Sequence, residues 1–177
     1  MRDLRRISYA RLAEIVGERG GISTGAMNAA RADAERGGAL FPEALVRVGA
    51  ITEWELMRIV AIEFGLPIVP VGTHDLDREL VRTFPPDLVA RSLVVPLDRF
   101  QKILTVAMPV LSPAEVLEQF AGRSRCEIFP VVSSLEENRR VVETTMKLKR
   151  ETSEDAGWER LFDDADAAVL REAKRRK

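Results

Sequence analysis

His74 is the only histidine of the chain, and Asp75 and Asp77 stand beside it, the residue types of a metal site. One imidazole among turn-forming residues reads instead as an Asx-turn leading into a helix at Asp77. Cys126 is the only cysteine. A thiolate nucleophile needs a base, and nothing places His74 near it, so Cys126 reads as a core thiol in a strand. A single cysteine also excludes an intrachain disulfide, argues against a cysteine zinc site and suits a reducing compartment. The sequence has no G-x-x-x-x-G-K-[ST] and no G-x-G-x-x-G, the residues that nucleotide hydrolysis and Rossmann cofactors require. The expectation is a protein with no catalytic residue, no metal and no resident cofactor, hence not an enzyme.

The spacing that stands out belongs to glycines and hydroxyls. Glu14 to Met27 recurs as Glu43 to Leu56, and in each copy a glycine (Gly20, Gly49) is followed by Ile-Ser or Ile-Thr (Ile22-Ser23, Ile51-Thr52). Gly20 and Gly49 follow apolar-periodic segments, where a left-handed residue would end a helix. Ser23 and Thr52 then cap the next helices, with Ile22/Met27 and Ile51/Leu56 as hydrophobic staples and Thr52/Glu55 as a capping box. A helical corner used twice is a framework for a shared binding surface.

Around these corners helices are expected at Tyr9–Arg19, Ser23–Arg36, Phe41–Val48 and Thr52–Phe64. After Gly65-Leu66-Pro67 short apolar strands are expected at Ile68–Val71, Leu93–Leu97, Ile103–Ala107 and Cys126–Val132. Helix-like segments at Asp77–Phe84, Pro86–Arg91, Pro113–Phe120 and Leu135–Met146 separate them, and the polar link of Asp98, Arg99, Gln101 and Lys102 predicts a hairpin. The fold class is α+β: a four-helix lobe built from a tandem helix-turn-helix repeat (1–66), a small mixed α/β lobe (67–147) and a charged, amphipathic helical tail (148–177). In the tail Trp158, Leu161 and Phe162 fall at helical spacing with Ala165 and Val169, an apolar stripe for a partner or for the chain's own lobe.

Composition sets outer bounds. With 46% apolar residues, 31% charged and a net charge of −1, the chain has globular composition and no overall basic footprint for a nucleic-acid polymer. No apolar run approaches the roughly 18 residues of a membrane span, so no membrane insertion is expected and the protein reads as cytoplasmic.

Taken in order, Arg11-Leu12-Ala13, Val16, Gly20, Ile22-Ser23, then Leu45-Val46, Gly49-Ala50-Ile51-Thr52-Glu53 and Phe64-Gly65-Leu66-Pro67 resemble the N-terminal domain of type II secretion and type IV pilus assembly ATPases, the GspE/MshE N-terminal family. Phe84-Pro85-Pro86, Val94-Val95-Pro96-Leu97, Leu104-Thr105-Val106-Ala107-Met108 and Phe129-Pro130-Val131-Val132 are similar to the second half of that domain. The resemblance covers roughly Ser8 to Met146, and no Walker A motif follows it, so the chain is expected to be a free-standing copy of a regulatory module.

The resemblance implies two roles. The family's domains look like docking units between a motor and an inner-membrane platform, which implies a protein partner from a secretion, pilus or signalling system. Tandem motifs of this family can also bind cyclic di-GMP, an arginine stacking on guanine and helix N-termini favouring phosphate. Position by position, Arg11, Leu12, Val16, Gly20 and Ile22 match the first motif, with Ala13 for a glycine, Gly21 for an aliphatic residue, and Arg31 and Ala34 where a leucine and a glutamine are usual. The second keeps Leu45, Val46, Gly49 and Ile51, but Leu40 stands at the arginine, Pro42 at the glycine and Glu63 at the glutamine. Losing one stacking arginine removes about 1 to 2 kcal/mol, or roughly ten- to thirty-fold in affinity. Pro42 deletes an amide donor, and Glu63 facing a dianion would repel it. The expectation is therefore a non-catalytic adaptor, with a degenerate cyclic di-GMP site as the alternative. Its expected contact residues are Arg11, Leu12, Val16, Gly20, Ile22, Phe41, Leu45, Gly49 and Ile51, with Trp158, Leu161 and Phe162 as a second, partner-binding surface.

Overall fold

The computed structural model describes residues 6–19, 21–73 and 76–145. Its first half is helical: α1 (Tyr9–Arg19), α2 (Thr24–Gly37), α3 (Phe41–Arg47) and α4 (Glu53–Phe64). Each start has a local cause. Ser8 Oγ accepts from Arg11 N at 3.1 Å, and Ser23 Oγ accepts from Ala26 N at 3.2 Å. Pro42 sits in the first turn of α3, where a missing amide costs nothing. Thr52 and Glu55 form a reciprocal capping box on α4: Thr52 Oγ1 accepts from Glu55 N, and Glu55 Oε2 accepts from Thr52 N, both at 3.3 Å. The end of α3 is a Schellman turn. Gly49 takes φ 70°, its amide donates to Val46 O, and Ala50 N donates to Leu45 O. In the first corner Gly21 takes φ 61°, while Gly20 lies outside the described residues. Leu12, Ile15, Val16, Ala44, Leu45, Leu56 and Val60 form the core of this half.

The second half is a small mixed sheet with helices. Its elements are α5 (Arg78–Arg82), α6 (Pro86–Ser92), β1 (Val95–Phe100), β2 (Ile103–Pro109), α7 (Ala114–Ser124) and β3 (Glu127–Ser133). Residues 135–145 are helical (α8). The sheet order is β1-β2-β3, antiparallel between β1 and β2 and parallel between β2 and β3, so α7 is the crossover that a parallel pair requires. Val106, Ala107, Met108, Val131 and Val132 are buried on both strand faces. Asn138 ties α8 to the strands. Its Nδ2 donates to Leu93 O at 2.7 Å and to Ala107 O at 3.1 Å, and Ser133 Oγ stands 2.7 Å from its Oδ1.

Several expectations needed correction. Ile68–Val71 is no strand: Ile68 makes one parallel bridge to Val132, flanked by Val69 N to Val132 O and Val132 N to Pro67 O, and Val71–Thr73 turns into a 3-10 helix. Pro70 supplies no amide, which stops a ladder from growing there. The hairpin link is shorter than expected. Asp98 and Arg99 belong to β1, an edge strand on which charged residues face solvent, and the turn is Gln101-Lys102. Leu93 belongs not to the strand but to the left-handed end of α6, with φ 53°. Asp77 caps α5 through its carboxylate at 3.0 Å from Glu79 N, while His74 and Asp75 lie outside the described residues. Cys126 is buried and immediately precedes β3.

By spatial proximity the chain divides into Met1–Val142 and Glu143–Lys177. The described residues up to Val142 lie within the first unit; residues 143–145 are the described part of the second. Among the described residues no helix is long and apolar enough to cross a membrane.

Candidate functional site

The motif arginine of the first copy meets the last turn of the second. Arg11, on the exposed flank of α1, donates from Nη2 to Glu63 Oε1 at 2.8 Å and from Nη1 to Glu14 Oε2 at 3.0 Å. Arg19, two turns further along α1, reaches Glu63 Oε2 at 3.0 Å. Glu63 sits near the C-terminus of α4, where the helix dipole disfavours a carboxylate; two guanidinium groups on its two oxygens offset that. Its side chain is 14% exposed. The Arg11 hydrogen bond holds the Glu63 carboxyl below its usual range, partial burial opposes this, and the fields of Arg19, Arg11 and Arg6 add to the lowering. Reciprocally, Glu63 and then Glu14 raise Arg11.

The expected contact residues do not converge on one cavity. Leu12, Val16 and Leu45 are fully buried and Phe41 is buried with its ring 5.8 Å from that of Tyr9, so these four are core. Their periodicity served packing, which no sequence pattern distinguishes from a ligand-facing stripe. Ile22 and Ile51 are half-buried and Gly49 is exposed. Gly20, Trp158, Leu161 and Phe162 lie outside the described residues. Arg11 and Glu63 line a hollow of about 150 Å³ with Arg6, Ile7, Phe64, Leu66 and Pro130. Arg31, Ala34 and Phe41 line a different one of about 320 Å³, beside Tyr9, Ala10 and Glu35. Ile51 lines a third, about 280 Å³, between the end of α1 and α4, with Arg19, Ala50, Glu55, Arg58, Ile59 and Ile62.

Burial holds the Tyr9 hydroxyl well above the usual phenol range, so it stays protonated at any physiological pH. Among the described residues no group of three or more His, Cys, Asp or Glu is arranged to hold a metal. Sequence reasoning missed Arg19 and the exposed α4 residues Trp54 and Ile62. A legible signal existed: Trp54, Arg58 and Ile62 recur every four residues opposite the buried stripe of Leu56, Met57 and Val60.

Comparison with known proteins places the fold. The MshEN domain family matches residues 64–145, downstream of the duplicated corners. A stretch of 98 residues is 29% identical to the type IV pilus assembly ATPase PilB of Myxococcus xanthus (strain DK1622), covering 55% of this chain and 17% of that protein. The chain thus spans about a sixth of the relative it matches. The structure of MshE with cdg superposes with a TM-score of 0.58 at 18% identity, covering 76% of this chain and 98% of that one. The N-terminal domain of XpsE gives 0.59 at 16% identity, covering 76% and 92%. These likenesses fall on N-terminal domains, not on a catalytic ATPase domain. Over residues 64–145, just under half of its length, the chain is similar to the MshEN domain family.

Proposed function

We propose that the chain is a non-catalytic docking module that acts through protein–protein contact in the cytoplasm, its partner a component of a secretion, pilus or signalling system. The observation that carries this over nucleotide sensing is the Arg11–Glu63 pair at 2.8 Å. The one arginine that matches the motif is already held by two carboxylates, and Leu40 stands where the second arginine is usual. Exposed Gly49, half-buried Ile22 and Ile51, and the tail residues Trp158, Leu161 and Phe162 are the proposed contact surfaces.

A second reading has one observation in its favour: MshE, whose fold this chain shares, was solved with cdg, which we read as cyclic di-GMP. Calorimetry separates the two. The docking reading expects no saturable heat with cyclic di-GMP at micromolar concentration, and capture of a machine component from native cytoplasm by the full chain. Saturable heat that Arg11→Ala abolishes would replace it with the sensor reading.

A further inference from the structure

We infer that the α4 face bearing Trp54, Arg58 and Ile62 is an interaction surface for an acidic amphipathic helix of another protein. The inference rests on the docking reading above and names its partner's chemistry. Trp54 is 60% exposed and Ile62 is 67% exposed, which is unusual for large apolar side chains on one helix face. They stand eight residues apart in α4, about 12 Å along its axis, with Arg58 midway. Beside them Ile51, Ile59 and Ala50 floor a groove of about 280 Å³ rimmed by Arg19, Arg58 and Glu55.

Charge selects the occupant. Glu55 is engaged by the Thr52 amide and hydroxyl, at 3.3 Å and 2.7 Å, and lies in the field of Arg58, but Arg58 makes no direct ion pair among the described residues and its guanidinium stays open to a partner's carboxylate. A second copy packing the same stripe about a two-fold axis would bring Trp54 against Ile62 and Arg58 against Arg58, setting like charges at the centre. A helix with aliphatic anchors two turns apart and carboxylates between them fills both ends and neutralises the middle.

The test uses the full chain and a labelled synthetic helical peptide with leucines two turns apart and glutamates between, alongside its Glu→Lys counterpart, read by fluorescence anisotropy. The glutamate peptide should bind saturably and at least about ten-fold tighter than the lysine peptide. Arg58→Glu should invert that preference, and Ile62→Ser, a surface change, should weaken both peptides while circular dichroism stays unchanged. Absent binding, equal binding of the two peptides, or indifference to Arg58→Glu overturns the inference. So does a wild-type dimer in sedimentation that Ile62→Ser dissociates, which would make a second copy the occupant. Binding seen only when Trp158, Leu161 and Phe162 are all changed to alanine would assign the groove to the chain's own tail and overturn it as well. Capture of a machine component that Arg58→Glu leaves intact keeps the docking reading and removes this surface. Inversion of peptide preference with no component captured does the reverse.

Discussion

Glu63 sits where a carboxylate is unwelcome on electrostatic grounds and is retained there by Arg11 and Arg19. Because the folded state lowers its pKa, the deprotonated form is bound more tightly in the native than in the unfolded chain. Stability from this group is therefore fully present above the unfolded carboxylate value of about 4.3 and is lost as pH falls through the lower folded value. Glu63→Gln should be less stable than wild type at pH 7, and the gap should close as acid is added below that value. Urea unfolding of both proteins at neutral pH and at a series of acidic pH values reads this directly; a gap that widens in acid would contradict the assignment. Arg11 and Glu63 were each legible as motif positions, but their contact was not, since 52 residues separate them.

Among the elements, α4 depends on its start and α8 on its anchor. Thr52→Ala removes the hydroxyl half of a capping box and should cost about 1 kcal/mol in urea unfolding, with Thr52→Ser recovering most of it. The α8 anchor is worth more because it is buried. Asn138→Ala would strand the carbonyls of Leu93 and Ala107 and take one acceptor from Ser133, a loss of about 3 kcal/mol in the same measurement. The capping signals were readable because a cap is decided within four residues of chain. Asn138 carried no such signal, since its partners come from the end of α6 and from two strands.

Across the unit Met1–Val142, the helical half and the sheet half are joined at several points. Ala114 N donates to Ile7 O at 2.9 Å, and Leu135 N to Glu53 Oε1. Arg139 pairs with Glu43 at 2.8 Å. With ties that cross the boundary expected at residue 66, the two halves should unfold together. In a Trp158→Phe variant, fluorescence of the remaining Trp54 reports on α4 and far-ultraviolet circular dichroism on the whole chain; their urea transitions should coincide. A fluorescence midpoint clearly below the dichroism midpoint would separate the lobes as independent units.

Local chemistry decided what the chain alone could specify: the helices α1 to α4 within a residue or two, the hydroxyl caps, the left-handed Gly49, and the order of helices and strands from α5 onward. Each is settled by neighbours in the chain through hydrogen-bond geometry and backbone sterics. Only the tertiary structure decided that Leu12, Val16 and Leu45 face the core, that Arg11 is held by Glu63, and that Ile68 contributes a single bridge. These outcomes depend on which surfaces meet, and a periodic apolar stripe buries equally well against a helix, a ligand or a partner until the opposite surface is in place.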